Sequence, residues 1–198
     1  MITNINALDV NKLYTYADYL QWQFKERLEL IKGRILKMSP APSRVHQEVS
    51  GIFHIILGNY FKNNPCKLYA APFDVRLFDS KKSKKADKEI FTVVQPDLCV
   101  ICDHSKLDAR GAIGAPDLII EILSPGNTET EMKIKFELYQ ESGVKEYWIV
   151  EPYDKVVFRY VLQNEKYIGL APLIKTDILT SELFDGLKIN LEEVFNFD

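Results

Sequence analysis

Residues 115–125 (APDLIIEILSP) constrain the fold more than any other stretch of the chain. They read as one strand, apolar on both faces except at two carboxylates. Strand side chains alternate, so Asp117, Ile119, Glu121 and Leu123 share a face. Glu121 sits in the middle of the apolar run, where a lone ionised carboxylate is costly. Such a group takes up a proton, pairs with a cation or binds a metal.

The rest of the chain sets the bounds. Its 198 residues are most simply one domain, 1–198, with a core of about 26–162 and a C-terminal strand and helix extension, 163–198. The longest apolar runs are too short for a membrane span. The first residues lack the basic region and apolar core of a signal peptide. Cys66, Cys99 and Cys102 make no disulfide framework. Cys99 and Cys102 are spaced like a redox or zinc pair, yet they lie in a strand-like run with no second pair. They read as buried thiols, which fits a reducing, cytoplasmic setting. A net charge of −3 and a pI of about 5.7 require any nucleic-acid footprint to be local.

Taken in order, residues 15–24 show helical spacing of Tyr16, Tyr19, Leu20 and Phe24. Residues 28–38 read as a hairpin turning at Lys32-Gly33. Pro40 and Pro42 break the chain, and Ser43 caps a helix to about residue 60, with His46 one turn in. Residues 67–71, 73–78, 90–94 and 96–102 read as strands, and 79–88 as a lysine-rich polar loop. Residues 103–114 read as a loop carrying Gly111 and Gly114. A helix follows over about 128–142, with Thr128 and Glu131 in a capping-box pattern and Gly143 as its stop. Residues 147–150 and 156–162 read as strands, and 179–197 as a short strand and an amphipathic helix. This order suggests one mixed sheet with helices packed on it.

In the helix over 128–142, Met132, Phe136 and Tyr139 form one stripe. Lys135, between them in register, points toward the sheet. Asp97 opens a strand, Glu121 sits within another, and Lys135 comes from the helix that the second strand feeds. If the strands are neighbours, two carboxylates and an amine meet at one end of a sheet. Two close carboxylates favour a divalent cation. Magnesium needs few carboxylates, polarises a phosphodiester and lowers the pKa of a bound water. A lysine nearby orients that water or stabilises the pentavalent state.

Several stretches together resemble the Uma2 family, nucleases of the PD-(D/E)XK or restriction-endonuclease-like superfamily. They are Gln95-Pro96-Asp97, residues 116–125, Glu131…Lys135…Tyr139, residues 143–150 (GVKEYWIV) and 179–184 (LTSELF). Residues 28–33 (LELIKG) and Ser39-Pro40…His46 match as well, so the resemblance covers nearly the whole chain. It implies an α/β single domain, a central mixed β-sheet flanked by helices, and a magnesium-dependent phosphodiesterase site. Asp97 matches the aspartate of the superfamily motif and Glu121 its second acid. The superfamily lysine would sit two residues after Glu121, where Leu123 stands. Uma2-like proteins carry it on the following helix, here as Lys135. Glu29 and His46 match family positions near the site as auxiliaries.

Each residue also has a plainer reading. Glu131 and Lys135 make an i,i+4 pair worth about 0.3–0.5 kcal/mol. Asp97 and Asp117 each follow a proline and suit a turn or strand mouth. Glu121 with Lys135 is also a structural salt bridge without catalysis. His46 suits a packing role, and the lysine loop suits a solvated face. No Walker loop, dinucleotide glycine fingerprint, zinc quartet or serine elbow is present.

The expectation is an endonuclease acting on nucleic acid, DNA first. Asp97, Glu121 and the Ile122 carbonyl would hold magnesium, with manganese as a substitute. Lys135 would act on the attacking water, and Asp117, Glu29 and His46 would support them. The alternative is a catalytically inactive nucleic-acid-binding or assembly module on the same fold. A hydrolase of a small phosphoester is a third reading. A homodimer is expected because enzymes that cut both strands often pair and because Phe184, Phe195 and Phe197 need cover.

Overall fold

The computed structural model describes residues 2–38, 41–78, 87–125 and 129–197. In chain order its elements are α1 (Tyr16–Tyr19), β1 (Leu28–Ile31), β2 (Arg34–Lys37), α2 (Arg44–Phe61), β3 (Lys67–Ala70), β4 (Val75–Leu77) and β5 (Thr92–Val94). There follow β6 (Leu98–Ile101), β7 (Leu107–Asp108), β8 (Gly111–Ile113), β9 (Leu118–Ile122), α3 (Glu129–Ser142), β10 (Glu146–Glu151) and β11 (Val156–Gln163). The chain ends on β12 (Lys166–Gly169), β13 (Leu173–Ile174), β14 (Ile178–Thr180), β15 (Lys188–Asn190) and α4 (Leu191–Val194).

The central sheet runs β12-β11-β10-β9-β6-β3, with β13 also on β11. Strand β9 lies at its heart, parallel to β10 and antiparallel to β6, and every residue of it is buried. The β9-α3-β10 passage is the helical crossover that a parallel pair requires. The expected single sheet is corrected, among the described residues, to two larger ones and a hairpin. The second runs β2-β1-β5-β4-β8-β7, and β14 pairs β15. An apolar pattern reveals that a segment is a strand and does not reveal which strand it joins.

Both faces of the central sheet are covered. On one face Val49, Phe53 and Leu57 of α2 pack with Leu118, Ile120, Trp148 and Val150. On the other, Ile119, Tyr147 and Ile149 meet Leu138 and Tyr139 of α3 and the second sheet's Val75, Leu77 and Val94. That second sheet is closed on its far side by Leu8, Tyr14 and Tyr16 of the N-terminal segment. The extension over 163–198 joins the same core: β12 and β13 add to β11, and Phe195 is fully buried beside α2's residues. Phe184 is buried there too and Phe197 partly so, which removes the need for a partner to cover them. Glu146 ties this end down. It is buried and accepts from Trp148 Nε1 at 2.7 Å and Ser181 Oγ at 2.6 Å.

Some elements hold as read. Lys32 and Gly33 both have positive φ, 50° and 81°, as a two-residue hairpin turn demands. Ser43 caps α2 by accepting from the His46 N–H. Others differ. Only Tyr16–Tyr19 of residues 15–24 is helical, because Ile2 bonds Gln21 and Gln23 through their backbones and draws the chain into a bridge. The expected loop 103–114 contains β7 and β8, and β8 runs parallel to β4. Gly111 makes this possible: at φ 127° its backbone lies so close to the Asp74 carbonyl that any Cβ would collide. The lysine-rich segment over 79–86 and the Thr128 half of the capping box lie outside the described residues.

The reading of the cysteines as free thiols is corrected in part. Cys66 and Cys102 form a disulfide, and Cys99 alone is free and buried. The register Lys67↔Ile101 continues one step to face Cys66 with Cys102, a pairing hidden by a separation of 36 residues. With a disulfide present, the cysteines no longer favour a reducing compartment.

Candidate active site

Two strands bring the acids together. The antiparallel register of β6 and β9 sets Leu98 across from Ile120. One step further it sets Asp97 across from Glu121, on the face that looks toward α3 and the second sheet. Side chains in such positions stand about 5 Å apart at Cβ. The Ile122 N–H donates to Asp97 Oδ2 at 2.8 Å and locks this offset.

Helix α3 then crosses above them. Lys135 and Tyr139, four residues apart, occupy one helix face and reach the same oxygen. Lys135 Nζ lies 2.9 Å from Glu121 Oε1, and the Tyr139 hydroxyl donates to that atom at 2.6 Å. Lys135 also lies 3.2 Å from Glu29 Oε1, which comes from β1 in the second sheet. The Gln95 N–H donates to that Glu29 oxygen at 2.9 Å. From α2, His46 Nε2 stands 3.2 Å from Asp97 Oδ2, while its buried Nδ1 has no hydrogen-bond partner among the described residues. All of these except Tyr139 line one open cleft, with Arg27, Lys37 and Tyr147 also on its wall.

Burial sets the electrostatics. It pushes the Glu121 carboxyl up to about 7; Lys135 pulls the other way, and Asp97 and Glu29 add to the rise. For Lys135 burial disfavours the ammonium, but Glu121 and Glu29 outweigh it and hold the pKa above the ordinary lysine value. The amine is therefore charged, able to donate and to stabilise negative charge and unable to serve as a base. Burial, then the Glu121 charge, also raises Tyr139, so its hydroxyl keeps its proton. Burial with a smaller push from Glu121 takes the Cys99 thiol to about 12, which makes it inert.

The structure thus gathers Asp97, Glu121, Lys135, Glu29 and His46. It leaves Asp117 outside. That acid is four residues from Glu121 on the same strand face, about 13 Å away. It accepts from Lys145 Nζ at 2.6 Å and from the Cys102 N–H at 2.8 Å, and so holds the other end of β9. The sequence reading names Tyr139 in the α3 stripe and in the family-like stretch but assigns it no role in the site, because an aromatic there fits the apolar stripe; its place one turn after Lys135 is the available signal.

Among the described residues no three of His, Cys, Asp and Glu are gathered closely enough to hold a metal ion alone. The donor chemistry still suits one class of ion. Asp97 Oδ1 and Glu121 Oε2 accept no hydrogen bond among the described residues. Two hard carboxylate oxygens match magnesium, which binds through one or two carboxylates and keeps its waters. They do not match zinc, which wants a fuller set of nitrogen or sulfur ligands.

Comparison with known proteins agrees with this architecture. The crystal structure of "a putative nuclease belonging to DUF820" from Anabaena variabilis ATCC 29413 superposes with a TM-score of 0.71. It is 18% identical, and the match covers 92% of this chain and 97% of that one, a likeness of fold. "Uncharacterized protein slr1290" from Synechocystis sp. is 25% identical over 124 residues. That match takes in 62% of this chain and 60% of the relative, so the chain spans about three fifths of that protein's length. The sequence profile of the Uma2 family, described as "Putative restriction endonuclease", matches residues 16–192. With that match over most of its length and a restriction-endonuclease-like fold, the chain belongs to the Uma2 family.

Proposed function

We propose that the protein is a magnesium-dependent endonuclease that hydrolyses phosphodiester bonds in DNA. One observation carries this reading: Asp97 and Glu121 face each other across β6 and β9 with the Lys135 ammonium 2.9 Å from Glu121. Asp97, Glu121 and the Ile122 carbonyl would hold the ion, and manganese would serve in its place. Bound there, magnesium would polarise the phosphodiester and lower the pKa of a ligated water. Water adds to phosphorus and gives up a proton, the bond to the leaving oxygen breaks, and that oxygen takes up a proton in turn, so the water is divided between the two products. Lys135 supplies positive charge where the pentavalent state is most negative. His46 and the Ile122 N–H fix one oxygen of Asp97, and Tyr139 and Lys135 fix one of Glu121, which turns the remaining oxygens toward the cleft. Glu29 holds Lys135 from the opposite sheet.

The test is nicking of supercoiled plasmid in magnesium by the wild type, Asp97→Ala and Glu121→Ala. The expected result is a loss of at least about a hundredfold in each variant. Equal cutting by all three would identify a contaminant and end the proposal. The Lys135–Glu121 contact itself favours a second reading, an inactive binding or assembly module in which the pair is structural. In that case magnesium leaves the melting temperature unmoved.

A further inference from the structure

Arg27 lines the cleft together with Asp97, Glu121 and Lys135, and it is exposed. Its Nε and Nη2 both donate to Gln95 Oε1, at 3.2 and 2.8 Å. No carboxylate pairs with it among the described residues. A guanidinium is usually steadied by an acid, which cancels its charge. Here a neutral amide does the steadying and leaves the charge whole.

The amide cannot turn round. Gln95 Nε2 donates to Asp74 Oδ1 at 2.8 Å, and a carboxylate only accepts. The acceptor end of Gln95 must then face Arg27, which only donates. Gln95 is two residues before Asp97, and its own N–H is bonded to Glu29. Arg27 and Glu29 share one face of β1's strand line, at i and i+2. The short segment that carries Asp97 therefore also fixes an uncancelled cation at the cleft wall. Lys37 lines the cleft as well, but it pairs with Leu28 and so belongs to the other face of the hairpin.

We propose that Arg27 is a phosphate subsite for the DNA backbone flanking the scissile bond, with Gln95 as its positioning residue. The guanidinium edge not bound to Gln95 presents a fork suited to two phosphate oxygens. This inference rests on the nuclease reading of the same cleft.

The experiment is fluorescence anisotropy of a labelled duplex DNA with the full chain in EDTA, followed across salt concentration. Each lost phosphate contact reduces the slope of log K against log salt by about 0.9. Arg27→Ala and Arg27→Gln should both show that reduction, and Lys188→Ala, an exposed lysine on β15, should not. Gln95→Met should weaken binding severalfold with the slope retained, because the charge stays and only its placement is lost. An unchanged slope in both Arg27 variants overturns the subsite, as does an equal fall in Lys188→Ala or a wild type that does not bind. An unchanged slope alongside plasmid cutting that needs Asp97 would remove the subsite alone. A reduced slope with no cutting by the wild type would keep the subsite and remove the nuclease.

Discussion

Glu121 is buried beside two other acids, and the Lys135 ammonium that touches it does not fully offset that environment. Its carboxyl rises from an ordinary 4.5 to about 7, so between these values the folded chain binds a proton that the unfolded chain releases. Stability from this group is complete below about pH 4.5 and is lost as pH climbs to about 7. Metal-free protein should therefore melt several degrees lower at pH 8 than at pH 5, and Glu121→Gln should flatten that difference. Thermal melts in EDTA check it; an equal pH slope in the variant would show that the drop comes from other groups. Magnesium should restore melting temperature at pH 8 and do little at pH 5, since the ion needs the ionised form. This residue was legible in the sequence because a charge amid Ile and Leu breaks the pattern. Lys135 was legible by its place on the α3 stripe. The roles of Tyr139, Gln95 and Arg27 were not, because an aromatic in an apolar stripe and polar residues in loops break no pattern.

Strands were readable one by one, while their partners were not. The β9 run, the β1–β2 hairpin and α2 carry local signals: alternation, a two-residue turn, a serine cap. By contrast β8 is three residues long and gains its identity only from lying beside β4. Gly111 is the contact that allows this, and Asp74, which it touches, orients Gln95. Gly111→Ala should then act on two levels. A positive φ costs a residue with a Cβ about 1–3 kcal/mol, and the collision with the Asp74 carbonyl adds to that. Urea melts should show a loss of at least about 2 kcal/mol, and any folded fraction should bind DNA more weakly than the wild type. A variant as stable as the parent would mean that β8 can move away from β4 without cost.

The cleft lies where the two sheets meet, and Lys135 bridges them by ion pairs beside their apolar contact. Its amine touches Glu29 from one sheet and Glu121 from the other, with side-chain exposures of 16%, 1% and 11% for the three. Remove the cation and three acids, Glu29, Glu121 and Asp97, confront each other across the seam. Lys135→Met keeps the length and apolar stem of the side chain and takes only the charge. Breaking a buried pair from one side costs about 3–5 kcal/mol. The loss should be larger at pH 8 than at pH 5, because protonation relieves the acids that the ammonium no longer serves. If the acids form a metal site, magnesium should raise the melting temperature of Lys135→Met by more than that of the wild type, since the ion then replaces the missing charge. Plasmid cutting should fall even when the fold is rescued, because the ion cannot take over the donor that Lys135 offers to the reacting phosphate. A variant that is destabilised at pH 8 and indifferent to magnesium would show instead that Lys135 is a bolt between the sheets, and that the acids around it exist to hold that bolt.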